Sequence, residues 1–109
     1  RVQENAAGVG FDWTKIEDVW NKVHEEIDEL KNAKSPEEVE EEVGDLLFAI
    51  VNLSRFLNVD PETAIRKATE KFISRFEKME KLIEMDNKKV EELNLEELDE
   101  YWNKVKENR

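Results

Sequence analysis

Apolar residues recur every three or four positions in three stretches of the chain. The first holds Ile16, Val19, Trp20, Val23, Ile27 and Leu30. The second holds Ala64, Ile65, Ala68, Phe72, Phe76, Met79 and Ile83, and the third Leu95, Leu98, Trp102 and Val105. That period is helical, and each stripe needs a neighbouring surface to cover it. A further stretch differs. From Leu46 to Leu57 nine of twelve residues are apolar, and they surround the axis, the pattern of a helix covered on all sides. No alternating strand pattern, internal repeat or low-complexity segment intervenes.

Punctuation divides these stretches. Thr14 with Glu17 reads as a capping box, and Ser35-Pro36-Glu37-Glu38 as a second with proline at the first helical position. Asp60-Pro61 repeats the cap-plus-proline signal, and Asn94 with Glu97 is a fourth start. Asn58 suits a left-handed helix stop. The predicted helices span residues 15–33, 36–57, 61–86 and 95–107, after a partial helix and a loop over 1–13. The expected fold is all-α: an antiparallel bundle of about four helices per chain, forming one domain over 1–109. Three partner helices from so short a chain leave part of the second uncovered, so the bundle is expected to be completed by dimerisation. A tightly wrapped monomer is the alternative.

Composition narrows the function. Acidic residues outnumber basic ones 28 to 17, for a net charge of −11. Broad nucleic-acid binding, which needs many phosphate-neutralising cations, is disfavoured. The longest apolar run is Leu46 to Val51, far short of the roughly 18 residues a membrane helix needs. With no cysteine, disulfide and thiolate chemistry are excluded. Residues 1–13 lack the apolar core of a secretory signal. The expected location is cytoplasmic. A single histidine, His24, excludes a histidine-rich metal site, and Asn21 three residues before it rules out the Glu-x-x-His pair of di-iron bundles.

Four acids stand close to the apolar stripes. Taking about 100° per residue, Glu26 lies roughly 60° and Glu29 roughly 120° from the stripe centre at Val23. Glu42 and Asp45 take similar offsets, to the same side, from Leu46 in the next helix. A tight turn at Ser35 brings the two pairs to the same height. Carboxylates converging beside a core need a partner or shift their pKa, and Mg²⁺, with Mn²⁺ as a substitute, prefers oxygen ligands. The count of ions, one or two, stays open. Gly44, between Glu42 and Asp45, suggests a close approach by another backbone or a ligand. Chance pairing on solvated faces is the alternative, and it is preferred for Glu25, Asp28, Glu37, Glu40 and Glu41.

Cations form a second pattern. Lys67, Lys71, Arg75 and Lys78 line one face of the third predicted helix. They suit a phosphate clamp, or ordinary pairing with Glu70 and Glu77. Trp102 and Lys106, at i,i+4, suit stacking on a base and holding a phosphate, although Trp102 alone reads as core.

The segments GFDW, KVHEEIDEL, EEEVGDLLFAIVNLSRFLNVDPETAIRKATEKFISRF and LDEYWNKVK span nearly the whole chain. They resemble the MazG family of nucleoside triphosphate pyrophosphohydrolases, in particular its C-terminal-type domain. The family's acidic signature, EExxE then ExxD, reads here Glu25-Glu26-Ile27-Asp28-Glu29, twelve residues, then Glu42-Val43-Gly44-Asp45. The resemblance implies a helical dimer that hydrolyses nucleoside triphosphates to the monophosphate and pyrophosphate with Mg²⁺. It implies Glu26, Glu29, Glu42 and Asp45 as metal ligands, with Glu25 as the first motif acid. Lys22, Lys71 and Arg75 would hold the triphosphate, and Trp102 with Lys106 would seat the nucleotide. Ser74 and Thr69 depart from the arginine and asparagine frequent at these places, which puts phosphate contacts or substrate preference in question. Relatives often carry two such domains, so the chain also reads as one half of a longer protein. Two alternatives are a related all-α enzyme for dUTP, dCTP or phosphoribosyl-ATP, and a non-catalytic dimerisation module.

Overall fold

A computed structural model describes residues 1–10 and 12–107. Phe11 of the GFDW segment and the last two residues lie outside the described part. The described chain is helical, with no strand: α1 (Val2–Gly8), α2 (Ile16–Lys31), α3 (Pro36–Phe56), α4 (Pro61–Met85) and α5 (Leu95–Glu107), with a 3₁₀ turn at Val90–Glu92 before α5. The four long helices follow the hydrophobic periodicity, and α1 takes up the partial helix expected near the start.

Caps explain most of the boundaries. The Ser35 hydroxyl accepts the Glu38 amide at 3.1 Å, and the Glu38 carboxylate accepts the Lys34 amide at 2.9 Å. Asn94 and Glu97 form a full capping box, each side chain accepting the other's amide, at 2.9 and 3.1 Å. The Thr14 box is not formed. Lys15, extended, caps α2 without a side-chain bond, which leaves Thr14 one residue too early for the third helical amide. Asn58 ends α3 with φ 59°. The Asn58 and Val59 amides donate to Arg55 and Ser54, a Schellman closure. Asn87, φ 58°, closes α4 the same way, with Lys88 donating to Ile83 and Asn87 to Glu84.

The chain divides into two compact units, Arg1–Pro61 and Glu62–Arg109. In the first, α2 and α3 form a hairpin across residues 32–35. Its core is Val19, Val23, Ala49 and Leu53, flanked by Ile16, Ile27, Leu46 and Phe56. The Gln3 side-chain amide donates to the Phe48 carbonyl at 2.7 Å, tying α1 to α3. Arg55 reaches Asp12 at 2.6 Å, and this guanidinium holds the Asp12 carboxyl below the usual carboxylate range. In the second unit Met79, Ile83, Tyr101 and Val105 join α4 to α5. The buried Tyr101 hydroxyl donates to Asp86 at 2.6 Å, and that bond raises the phenol's pKa. Much of α3 stays uncovered: Leu47 is 59% and Phe48 56% exposed.

Candidate active site

The hairpin carries the acids. Helical spacing turns Val19, Val23 and Glu26 of α2 inward together, and all three are buried. Glu26 keeps only 5% of its surface. On α3, Glu42 is half-buried, beside a core made by Ala49 and Leu53. Glu29 and Asp45, further round their helices, are exposed. One carboxylate oxygen each from Glu26, Glu29 and Glu42 lie within 4.8 Å of one another. Asp45 stands outside that set but acts on Glu42 through its charge.

The electrostatics are unbalanced. Lys22, one turn before Glu26, donates to one Glu26 oxygen at 2.9 Å and to Glu25 at 3.4 Å. These acids, Glu26 foremost, hold the ammonium charged to higher pH than usual. The second oxygens of Glu26 and Glu42 are buried without a hydrogen-bond partner. The Glu42 carboxyl is pushed above its ordinary 4.5, first by loss of water, then by the charge of Glu29, by the hydrogen bond a protonated Glu42 makes to Glu26, and by Asp45. With both carboxyls ionised that bond is lost and the two oxygens are orphaned. An oxygen-only cluster with excess negative charge and two orphaned oxygens fits a hard divalent cation. Gly44 meets no neighbour among the described residues. It lies roughly 160° around α3 from Leu46, and a Cβ built on it meets no atom within 4 Å. Nothing in the described chain approaches it.

In the C-terminal unit, Lys71, Ser74, Arg75 and Lys78 line a cleft of about 370 Å³, with Val105 of α5 beside them. Lys67 does not line it. Serine at 74 therefore sits among the cations, while the Thr69 hydroxyl is turned onto its own helix, donating to the Ile65 carbonyl at 3.0 Å. Trp102 is half-buried against the α4–α5 core, and its ring lies 5.3 Å from that of Phe72. Lys106 is exposed on α5, and His24 is exposed on α2. The first unit holds another, larger cleft of about 430 Å³, walled by Val2, Ala6, Trp13 and Phe48 and edged by Asn52 and Arg55. Asp12 lines it, but none of Glu26, Glu29, Glu42 and Asp45 does.

Sequence reasoning did not foresee the Lys22–Glu26 pair, the Phe72–Trp102 contact or the Tyr101–Asp86 bond. The first was readable from i,i+4 spacing, and the second from the apolar stripe of α4 and its exposed Phe72. Nothing in the spacing of Tyr101, on α5, and Asp86, in the turn after α4, marks them as partners.

Comparison with known proteins gives the chain a family. Residues 15–80 match the MazG nucleotide pyrophosphohydrolase domain. The chain is 66% identical over 106 residues to the nucleoside triphosphate pyrophosphohydrolase/pyrophosphatase MazG of Thermotoga maritima, covering 97% of this chain and 42% of that protein. It is 41% identical over 111 residues to the nucleoside triphosphate pyrophosphohydrolase of Escherichia coli K12, with the same coverage, 97% and 42%. A third relative, the uncharacterized protein YabN of Bacillus subtilis, is 38% identical over 66 residues, covering 61% of this chain and 14% of that protein. The chain thus spans about two fifths of the length of the first two relatives. With the family domain matched across most of its length, the chain belongs to the MazG nucleotide pyrophosphohydrolase domain family.

Proposed function

We propose that this chain hydrolyses nucleoside triphosphates to the nucleoside monophosphate and pyrophosphate, with Glu26, Glu29, Glu42 and Asp45 holding Mg²⁺. The observation that carries the reading is the convergence of three carboxylates within 4.8 Å around a buried Glu26 whose second oxygen has no partner. A solvated acidic face does not bury an orphaned carboxylate oxygen. The names of the Thermotoga maritima and Escherichia coli relatives support the substrate class.

In hydrolysis a water oxygen bonds to the α-phosphorus, the bond from that phosphorus to the αβ-bridging oxygen breaks, and the water's proton is released. Bound Mg²⁺ supplies a lowered water pKa and neutralises phosphate charge. The chain's own residues do the rest. Glu26 and Glu42 present fixed oxygens from a packed hairpin, so little ordering remains when the cation binds. Lys71 and Arg75 hold phosphate oxygens, Arg75 through its planar fork and Lys71 as a point charge. Trp102, backed by Phe72, offers a ring face for the base, and Lys106 a further cation. Glu25, on the exposed side of α2, shares Lys22 with Glu26.

The reading includes a homodimer of single domains over 1–109. Helices of a second copy would cover the apolar residues of α3 that stay exposed, including Leu47, Phe48 and Ile50, and would complete an antiparallel bundle. It also places the protein in the cytoplasm, where these substrates and Mg²⁺ are found together. The test is incubation with each NTP and dNTP plus Mg²⁺, resolving nucleotides and phosphates. Release of monophosphate and pyrophosphate is expected, whereas release of only diphosphate and orthophosphate overturns the proposal.

A further inference from the structure

We infer that Lys22 is the resident counter-ion of the acidic cluster, and that a divalent cation displaces it from Glu26. The inference rests on the metal-site reading above and extends it to what that cation must compete with.

Glu26 is the most buried acid of the cluster, its side chain only 7% exposed, and Lys22 is the cation bonded to it. One ammonium is too little charge for three converging carboxylates, and it leaves one oxygen each on Glu26 and Glu42 without a partner. It also reaches the cluster from one side only. A dication collecting oxygens from Glu26, Glu29 and Glu42 would share the Glu26 carboxylate with Lys22, and two cations on one carboxylate repel at close range. Lys22 is the one that can leave. Its side chain is 38% exposed, its stem is flexible, and Glu25 already stands at 3.4 Å on the solvent side. Glu25 is therefore the place where the displaced ammonium rests. Once released from Glu26, Lys22 becomes available to an anion brought in with the metal. Cation loading and anion capture are thereby coupled through one side chain.

The exchange sets a sign that a merely structural ion pair does not. Removing Lys22 should weaken the metal-free protein yet tighten its hold on Mg²⁺, because no bond is then broken when the cation enters. Lys22→Met keeps the aliphatic stem. Calorimetric titration with Mg²⁺ alone, without nucleotide, should give a Kd about tenfold lower than wild type, the low end for a charge-assisted hydrogen bond that is partly solvated. The metal-free melting temperature should fall by several degrees. Glu29→Gln, which removes a ligand and leaves Lys22 untouched, should lose most Mg²⁺ binding. If Lys22→Met binds no tighter while Glu29→Gln binds poorly, the exchange is wrong and the metal site stands. If both bind like wild type, the cation lies elsewhere and both readings fall. Should Lys22→Met unfold, limited acetylation of the wild-type protein decides. Lys22 labelling should rise several-fold on Mg²⁺ saturation, with the exposed Lys31 as an unchanged reference. An unchanged Lys22 rate overturns the inference.

Discussion

Glu42→Gln isolates the repulsion within the acidic cluster. The substitution removes one charge at nearly constant shape, from a half-buried carboxyl that faces Glu29 and Glu26 and has one buried oxygen without a partner. In the absence of metal it should stabilise the protein. The sign follows from the raised pKa of Glu42. The folded state holds this proton to higher pH than the unfolded chain, whose carboxyl titrates near 4.5. Wild-type stability from this group is thus fully present below about that pH and declines as pH rises through the higher folded value. Glu42→Gln, with nothing to titrate, should flatten that decline in the metal-free protein.

Metal should reverse the ranking. Mg²⁺ that binds only the folded site stabilises by mass action, about 2.7 kcal/mol at a hundred times Kd. For a domain near this size each kcal/mol moves the melting temperature by roughly 4–8 °C. The wild-type Tm should therefore climb by more than about 10 °C across a Mg²⁺ series, and Glu42→Gln by only a small part of that. Melting curves followed by circular dichroism, over a Mg²⁺ series at pH 5 and pH 8, read both effects. Glu40→Gln, exposed on the same helix, is the control. Identical curves for Glu40→Gln and Glu42→Gln would refute the reasoning, as would full Mg²⁺-dependent turnover by Glu42→Gln.

Two further outcomes test the remaining parts. Lys71→Ala and Arg75→Ala should leave the fold intact and lower kcat/KM by about tenfold to a hundredfold, the worth of a charge-assisted hydrogen bond. Lys78→Ala, at the far end of the same cleft wall, should cost less in steady-state assays, and three equal, negligible effects would reassign these cations to the solvated surface. Leu47→Glu puts a charge on the exposed apolar side of α3 and should reduce a dimer to monomer or unfolded chain in light scattering. A wild-type protein that scatters as a fully active monomer removes the dimer.

Helix periodicity carried the helices themselves, and burial only in part: Trp20, Ile65, Phe72 and Leu95 lie on the apolar stripes and stay exposed. Val19, Val23, Met79, Ile83 and Val105 lie on the apolar stripes and are all buried. The acids obey the same geometry. An offset of roughly 40–60° from the stripe left Glu26 buried and Glu42 half-buried, and roughly 100–120° left Glu29 and Asp45 exposed. What escaped the pattern depends on single bonds rather than on period. A hydroxyl one residue early decides whether Thr14 caps α2. Asn87 ends α4 through a left-handed residue that no following proline marks. Gly44 invited a neighbour that its outward-facing angle does not meet within the chain.

The Lys22–Glu26 pair shows most clearly what a residue-type search overlooks. Searching for metal ligands selects acids and passes over the cation between them, yet i,i+4 spacing fixed Lys22 above Glu26 as surely as it fixed Glu26 beside Val23. A buried carboxylate in a metal-free chain must be balanced by something. In α2 the residue one turn earlier is Lys22, a long, flexible cation that reaches Glu26 and is itself 38% exposed. On the proposed reading, a site that takes up a dication but folds before meeting one would gain from a counter-ion strong enough to hold Glu26 in place and exposed enough to leave.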